Sequence, residues 1–297
     1  MKFFSKVFYL LVILAFVVSC TKSDGITIEP IRDRATQYAK DLDSIDKFLD
    51  THSMLVDTDF NVVFSEMTTG GNTQTIRQQT QYPLQFKTVK DPVDDFSYKV
   101  YYVSMQEGSG RRPSEVDSVH VAYKGLLLKN TSFDSSTQPL WFQLQDVVPG
   151  WSEIIPLFKT GTYDTTQGPN PINFQNYGAG IMFLPSGLGY FANSTPNGTI
   201  SAYEPLIFTF RLMELRYKDH DRDGVLSKDE GNLADATMKL LDYDLDGDGI
   251  ANFLDVDDDG DKILTRLEVT KNPDGTILFQ DCDNDGIPNY LDKDPCP

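Results

Sequence analysis

The sequence has few cysteines, histidines and tryptophans, and it is short of positive charge. Its 297 residues include 3 Cys, 3 His and 2 Trp, and 26 Lys and Arg residues oppose 44 Asp and Glu residues, so the net charge is −18. His52 and His220 are isolated in the sequence, and we assign no role to His120. A chain this acidic repels nucleic acid, which excludes a nucleic-acid-binding function.

Long apolar runs are also scarce, and the clearest one lies at the N-terminus. Residues 7–18 are apolar and follow two lysines. The run is shorter than the roughly 20 residues of a transmembrane helix, so residues 1–19 are predicted to be an export signal. The Val-Val-Ser sequence before Cys20 resembles a bacterial lipoprotein cleavage site, which implies a diacylglyceryl anchor on Cys20. Two acyl chains would anchor the protein stably. The alternative is an ordinary signal peptide in which Cys20 is incidental.

The other two cysteines are Cys282 and Cys296. An even pair in an exported protein favours a disulfide between them, and the alternative is two free thiols.

The negative charge is concentrated at the C-terminus. From Lys218 onward there are 22 acidic and 8 basic residues, so this stretch holds 14 of the 18 excess negative charges. Such a block collapses poorly unless cations neutralise it. We therefore divide the chain into residues 1–19 (signal peptide), 20–94 (tether, helix and N-terminal extension), 95–217 (main domain) and 218–297 (Asp-rich repeats).

Periodic apolar positions predict an α+β fold. Tyr38, Leu42, Ile45 and Leu49 repeat at helical spacing, which predicts an amphipathic helix over 31–51 that packs on the main domain rather than binding a partner. Strand-like alternation appears in segments 60–64, 84–86, 98–105, 119–123 and 207–215. Several antiparallel strands with one short helix over 151–158 indicate an α+β domain.

Four segments of the main domain occur in a characteristic order. They are Val119–Gly125 (VHVAYKG), Phe133–Ser136 (FDSS), Val147–Trp151 (VVPGW) and Leu206–Leu212 (LIFTFRL). In this order they resemble the FKBP-type peptidyl-prolyl isomerases. The resemblance implies an antiparallel sheet wrapped on a short helix, and an enzyme that rotates Xaa-Pro bonds without a cofactor.

Prolyl rotation faces a barrier of about 18–20 kcal/mol, set by amide resonance. An apolar pocket that favours the less polar, twisted amide lowers this barrier. The resemblance implies that Trp151 is the floor beneath the proline ring, that Asp134 faces the substrate carbonyl and that Tyr190 donates a hydrogen bond. The remaining implied site residues are walls: Tyr123, Phe133, Leu140, Val147, Val148, Ile200 and Phe208. Taken singly, Phe133, Val147, Val148 and Phe208 also suit a plain core, and Asp134 also suits a turn.

The sequence departs from the family pattern at several positions. Leu140 follows Pro139 where the family commonly has an aromatic residue, with Trp141 and Phe142 beyond it. Phe191 replaces the usual glycine after Tyr190, and residues 161–181 contain an insertion. These departures leave open a non-catalytic protein that binds proline-containing segments.

The acidic tail contains four loops with the spacing of EF-type calcium sites. Such a loop places oxygen ligands at positions 1, 3, 5, 7, 9 and 12, with glycine at position 6. The predicted ligands of the first two loops are Asp219, Asp221, Asp223, Val225, Ser227, Glu230 and Asp244, Asp246, Asp248, Ile250, Asn252, Asp255. Those of the last two are Asp257, Asp259, Asp261, Ile263, Thr265, Glu268 and Asp281, Asp283, Asp285, Ile287, Asn289, Asp292. Position 7 would ligate through its carbonyl oxygen.

The loops resemble EF-hands and thrombospondin type 3 repeats, which implies structural Ca²⁺. Lys262 occupies position 6 of the third loop and makes that site the weakest. Residues 233–241 are a candidate helix, whereas loops two and three almost abut, so a calcium-wrapped array is favoured over paired EF-hands. The alternative is a solvated acidic spacer.

Together these features predict an exported lipoprotein that is anchored through Cys20. The lipid anchor implies that it lies in the outer membrane and faces the periplasm or the cell surface. Its predicted partners are proline-containing segments of exported proteins, whose folding it assists. The competing hypotheses are a non-catalytic binding protein and a calcium-dependent adhesion or docking module on the same scaffold.

Overall fold

The computed structural model describes residues 30–68, 74–164, 173–196, 198–232, 235 and 238–293. The predicted export signal, Cys20 and Cys296 lie outside these residues. Asp33 and the described residues after it form one compact unit. Within the described part of the chain, no helix combines the length and the apolar character needed to cross a bilayer.

The helices are few and mostly short, as the sequence predicts. They are α1 (Arg34–Thr51), α2 (Pro149–Ile154) and α3 (Thr265–Glu268). Among the described residues, ten strands account for most of the remaining regular structure. They are β1 (His52–Val56), β2 (Val62–Glu66), β3 (Leu84–Lys90), β4 (Ser97–Gln106), β5 (Ser118–Leu127), β6 (Ser132–Gln143), β7 (Gly178–Leu184), β8 (Leu206–Arg216), β9 (Val269–Lys271) and β10 (Ile277–Phe279).

Six strands form one antiparallel sheet in the order β3-β4-β7-β8-β5-β6. The two other pairs, β1-β2 and β9-β10, are separate hairpins. β7 and β8 lie at the centre, and every residue of β7 is buried. The sheet and its short helix confirm the predicted α+β class.

One face of the sheet packs against α2. Alternate residues of β4, β5, β7 and β8 point to this face, as the strand period of two requires. Trp151 and Ile154 of α2 are buried in the same cluster as Val121 and Phe208. The predicted single short helix is confirmed, and a 3₁₀ turn (Ile155–Leu157) extends it.

The opposite face of the sheet packs against α1. Ile45, Phe48 and Leu49 are buried against Val103 and Phe183. Each such burial contributes about 1.5–3 kcal/mol. Asp33 caps the helix by accepting a hydrogen bond from the Thr36 N–H at 2.7 Å. The predicted amphipathic helix that packs on the main domain is therefore confirmed.

Several strand boundaries differ from the sequence prediction. β2 begins at Val62 rather than at Phe60, because Phe60 has a φ of 60° and belongs to a turn. Asp134 lies within strand β6, so the turn that the sequence also permitted is wrong. Strands β1, β9 and β10, which are three to five residues long, were not predicted from the sequence.

The acidic tail folds around its loops with little apolar core. Val225, Tyr290 and Leu291 form its small buried cluster. Of the candidate helix over 233–241, the described part shows only one 3₁₀ turn, Leu240–Asp242, so a full helix is wrong there. Loop two ends in a 3₁₀ turn, Asn252–Leu254, and no α-helix lies between it and loop three, as predicted.

Candidate functional site

A cavity of about 410 Å³ opens between α2, the end of β6 and the turn that follows β7. Its wall is mostly aromatic and aliphatic, with two carboxylates at the edge. The lining residues are Tyr123, Phe133, Asp134, Phe142, Asp146, Val147, Val148, Pro149, Trp151, Gly189, Tyr190 and Phe208.

Trp151 forms the floor of this cavity. Its side chain is 3% exposed, and the rings of Tyr123, Phe142 and Phe208 meet it edge to face, with centroids 5.4, 5.5 and 5.4 Å away. Edge-to-face pairs of this kind contribute about 0.5–1.5 kcal/mol beyond their buried area. The floor is therefore held in one orientation by its walls.

Two glycines allow the aromatic residues to approach the sheet. A Cβ atom on Gly150 would lie 2.4 Å from Cδ2 of Leu184, so only glycine lets the start of α2 close on β7. A Cβ atom on Gly125 would lie 2.4 Å from Cζ of Phe133. The tip of the Phe133 ring thus lies against Gly125 of β5, and the ring is edge-on to Phe208 at 5.5 Å. Both glycines belong to the motifs that the sequence identified.

Asp134 and Tyr123 form the polar edge of the cavity. The Tyr123 hydroxyl donates a hydrogen bond to Oδ2 of Asp134 at 2.5 Å. Burial, and then the adjacent Asp134 carboxylate, raise the pKa of Tyr123 above its usual value. Tyr123 therefore stays protonated and fixes the carboxylate of Asp134, which is otherwise exposed to solvent.

Most of the predicted site residues meet in this cavity, and two do not. Leu140 is 46% exposed and is not among the residues that line the cavity, so its role in the site stays a prediction. Ile200 is 2% exposed and supports the cluster around Trp151 without reaching the cavity. Phe142, which the prediction omitted, contacts both Tyr123 and Trp151. Phe142 could have been predicted from the strand period of two, because it follows Leu140 by two residues and lies on the same face of the strand.

The turn that carries Tyr190 is held by the N-terminal helix. Arg34 of α1 donates hydrogen bonds to Oδ2 of Asp91 at 2.8 Å and to the Gly187 carbonyl at 3.1 Å. Its guanidinium also lies 4.5 Å from the ring centre of Phe191. Phe191 has a φ of 47°, a conformation that favours the glycine usual in the family. The Arg34 contact stabilises the turn despite that substitution, and Tyr190 reaches the cavity with 38% exposure.

The four acidic loops share one backbone conformation. Position 6 has a positive φ in each loop, with values of 107° for Gly224, 97° for Gly249, 81° for Lys262 and 99° for Gly286. Position 4 is also left-handed in each loop. The third loop therefore follows the pattern at the cost of strain, because a lysine side chain disfavours this conformation.

Internal hydrogen bonds repeat in the same register. The position-5 carboxylate accepts the N–H of position 7 in every loop, at 2.7, 2.8, 2.6 and 2.8 Å. The carboxylates at positions 1, 3 and 5 converge, with one oxygen of each within 4.8 Å of the others. Positions 1, 3 and 5 are thus arranged as a calcium loop requires.

Position 9 has a role that the sequence did not predict. In each loop its side-chain oxygen accepts the backbone N–H of position 2, so it closes the loop. The acceptors are Ser227, Asn252, Thr265 and Asn289, at 3.2, 2.9, 3.2 and 2.9 Å. These four residues are therefore loop-closing groups in this structure, and their role as metal ligands stays a prediction.

The buried carboxylates of the tail fit a cation. Oδ2 of Asp221, Oδ2 of Asp259 and both oxygens of Glu230 have no hydrogen-bond donor among the described residues. Burial and neighbouring carboxylates raise the pKa of Asp221 to about 7, of Asp259 to about 6 and of Glu230 to about 10. Each of these carboxylates is costly to bury as an anion unless a positive charge lies beside it.

The tail also contacts the main domain beside the cavity. Glu153 of α2 pairs with Lys239 of the tail and with Lys87 of β3, the latter at 2.9 Å. Glu115 accepts the Leu240 N–H at 2.8 Å, and Asp117 accepts the Lys218 N–H at 3.0 Å. The helix that carries Trp151 is thereby joined to the start of the tail.

Cys282 is disulfide-bonded. Cys296 lies outside the described residues, so the pairing of these two cysteines stays a prediction.

Comparison with protein families shows what the region around the cavity is similar to. Residues 109–213 match the family model described as FKBP-type peptidyl-prolyl cis-trans isomerase. For this similarity we call residues 109–213 the FKBP-type domain. They include every residue that lines the cavity. Residues 220–279 match a second family model, described as BamM C-terminal. That description does not concern EF-hands, so calcium binding by the tail stays a prediction.

Named relatives share the FKBP-type domain. A probable FKBP-type peptidyl-prolyl cis-trans isomerase FkpA of Neisseria meningitidis serogroup B is 35% identical over 106 residues, which cover 35% of this chain and 39% of that protein. Outer membrane protein MIP of Legionella longbeachae is 31% identical over 119 residues, which cover 39% of this chain and 43% of that protein. The chain thus spans less than half the length of these relatives.

A crystal structure of a peptidyl-prolyl cis-trans isomerase from Pseudomonas syringae pv. tomato shares 17% identity, with a TM-score of 0.36, over 63% of this chain and 98% of that one. This overlap is too weak to support an argument. The fold assignment rests on the sheet topology and on the family match.

Proposed function

We propose that the FKBP-type domain catalyses cis/trans isomerisation of Xaa-Pro bonds in exported polypeptides. The cavity floored by Trp151 and edged by Asp134 is the observation that carries this proposal. Its volume of about 410 Å³ suits a proline ring with its flanking residues. No nucleophile or cofactor is required, because the reaction breaks no covalent bond.

The chemistry follows from the surroundings of the bound amide. Transfer from water to an aromatic hollow disfavours the planar, more polar amide relative to the twisted one. Asp134, fixed by Tyr123, lies at the edge where the substrate carbonyl leaves the hollow. The charge of Asp134 is thereby available to the amide as its dipole rotates out of the plane.

The test is isomerisation of a short Xaa-Pro peptide, followed by NMR exchange or by protease coupling. We expect catalysis by the protein and a loss of about tenfold or more in kcat/KM for Trp151→Ala and for Asp134→Ala. A folded protein that shows no catalysis would refute the enzyme and favour the binding hypothesis, with peptide affinity as the next quantity to measure.

The position of Phe142 weakens one reason for the non-catalytic hypothesis. Leu140 had suggested a missing aromatic wall, but Phe142 supplies that wall beside Tyr123 and Trp151. The insertion over 161–181 is the remaining departure, and it lies partly outside the described residues.

The predicted location is supported by the sequence of the N-terminus. The apolar run over 7–18 followed by Cys20 supports export and lipid anchoring. Mass spectrometry of the membrane fraction tests this proposal, since a diacylglyceryl group on Cys20 adds a defined mass and Cys20→Ser removes it.

We further propose that the acidic tail holds structural Ca²⁺. The shared loop conformation and the unpartnered buried carboxylates support it. Positions 1, 3, 5 and 12 of each loop would supply carboxylates, and position 7 would supply a carbonyl. Binding would neutralise the charge that the buried acidic groups carry. Isothermal titration with calcium is the test, and an absence of binding would leave the acidic-spacer hypothesis.

A further inference from the structure

The acidic cluster of the first loop extends beyond that loop. Asp223 and Glu230 belong to the first loop, and Asp258 belongs to the third. One carboxylate oxygen from each of the three lies within 4.8 Å of the other two. This spacing is that of ligands around one ion, because oxygens at 2.3–2.6 Å from calcium are at most about 5 Å apart.

The three carboxylates are buried and uncompensated. Asp223, Glu230 and Asp258 are 4%, 1% and 1% exposed. Oδ2 of Asp223, Oδ1 of Asp258 and both oxygens of Glu230 lack a hydrogen-bond donor in the described part of the chain. None of the ion pairs among the described residues includes any of the three. Buried anions of this kind require a cation close by.

The side chain of Asp258 is not a predicted ligand of its own loop. It occupies position 2 of the third loop, and position 2 contributes no ligand in a calcium loop of this type. The equivalent residues of the other loops are His220, Leu245 and Cys282, none of which is a carboxylate. The backbone N–H of Asp258 already closes its loop on Thr265 at 3.2 Å. The carboxylate of Asp258 is therefore directed to the first loop.

We propose that Asp258 is a ligand of the cation held by the first loop, so that one ion joins the first and third loops. The proposal rests on the proposed calcium binding and deepens it. Carboxylate oxygens alone select a hard divalent cation, and the flexible geometry of the cluster suits Ca²⁺ better than Mg²⁺. The small apolar cluster of Val225, Tyr290 and Leu291 beside it then depends on this ion for its assembly.

Asp258→Asn tests the proposal because it keeps the shape of the side chain and removes its charge. The full-length protein in detergent is titrated with CaCl₂ by calorimetry and melted in EDTA and in calcium. We expect one class of site to lose affinity about tenfold or more, because ligand charge sets calcium affinity. In EDTA the variant should melt at the same temperature as the parent or higher, since a buried like charge is gone.

Asp242→Asn is the matched control. Asp242 is exposed and lies outside all four loops, and its replacement by Asn removes the same charge from the tail. It should leave calcium affinity and both melting temperatures unchanged. Asp258→Glu is the second variant, because it keeps the charge of the side chain. It should retain more calcium affinity at the affected site than Asp258→Asn does.

Three results would overturn the proposal. Equal calcium affinity of Asp258→Asn and Asp242→Asn would remove Asp258 from the ion. A lower melting temperature of Asp258→Asn in EDTA as well as in calcium would make it a structural hydrogen-bond acceptor only. A parent protein that binds no calcium would end the calcium proposal itself, a failure seen before any variant is compared. A calcium-soaked crystal should show the ion about 2.3–2.6 Å from Oδ1 of Asp258.

Discussion

Asp41 of α1 accepts two hydrogen bonds from Ser186, one from its backbone N–H at 2.7 Å and one from its hydroxyl at 2.6 Å. The two residues are 145 positions apart in the sequence, and both are almost completely buried. Ser186 begins the turn that carries Tyr190 to the cavity. A helix outside the family match thus determines the position of a residue of the candidate active site.

Asp41→Ala should weaken both stability and catalysis. It leaves the Ser186 N–H and hydroxyl buried without their acceptor, which costs about 3–5 kcal/mol of unfolding free energy. Urea denaturation measures the stability, and the peptide isomerisation assay measures kcat/KM. Asp43→Ala, an exposed position on the same helix, is the control and should change neither quantity. Equal isomerisation by both variants would show that α1 does not position the turn.

Phe142→Ala and Leu140→Ala form a pair that tests which of the two residues forms the wall of the cavity. Phe142→Ala removes a ring that contacts Trp151 and Tyr123, so kcat/KM should fall about tenfold or more. Leu140→Ala, two residues away and 46% exposed, should leave kcat/KM within about twofold of the parent. The reverse order of effects would restore the wall that the sequence predicted.

Lys262→Gly should stabilise the tail. Lys262 has a φ of 81°, and glycine adopts this conformation without the roughly 1–2 kcal/mol of strain that another residue incurs. The melting temperature in calcium should rise. Gly249→Ala is the opposite control, because Gly249 has a φ of 97° and open space around its missing Cβ, so only backbone strain is added. Both variants shifting in the same direction would contradict this explanation.

When calcium is removed by chelation, the stability of the folded protein should fall as pH rises. The pKa of Glu230 is raised from 4.5 to about 10 by burial and by neighbouring carboxylates. The folded state therefore binds more protons than the unfolded state between these values, and stability decreases as pH rises through them. In EDTA, the melting temperature should decline from about pH 5 to about pH 8. Calcium, or Glu230→Gln in EDTA, should flatten the decline. An equal slope for Glu230→Gln would exclude Glu230 as its source.

The sequence predicted the site well where the motifs are local. Gly150 and Trp151 are adjacent, and Phe133 and Asp134 are adjacent, so short motifs identify them together. Phe142 was missed because the aromatic wall was expected directly after Pro139. The pairing of β5 with β6 shifts register between Val121 and Tyr123, and this irregularity cannot be read from the residue order.

The sequence could not predict contacts that depend on how distant segments pack. Spacing alone identified positions 1, 3 and 5 of the four loops, whose common geometry the structure shows. The convergence of Asp258 with Glu230 arises from the packing of one loop on another. The Arg34 and Asp41 contacts arise in the same way, because periodicity predicts a buried face for α1 but not which polar groups meet it.

The burial of β7 on both faces limits how the FKBP-type domain can be moved between proteins. A fragment starting at residue 109 would lose α1 and leave Ile181 and Phe183 facing water. Exposed apolar patches of that kind promote self-association. Any transfer of the FKBP-type domain to another protein must therefore include the N-terminal helix.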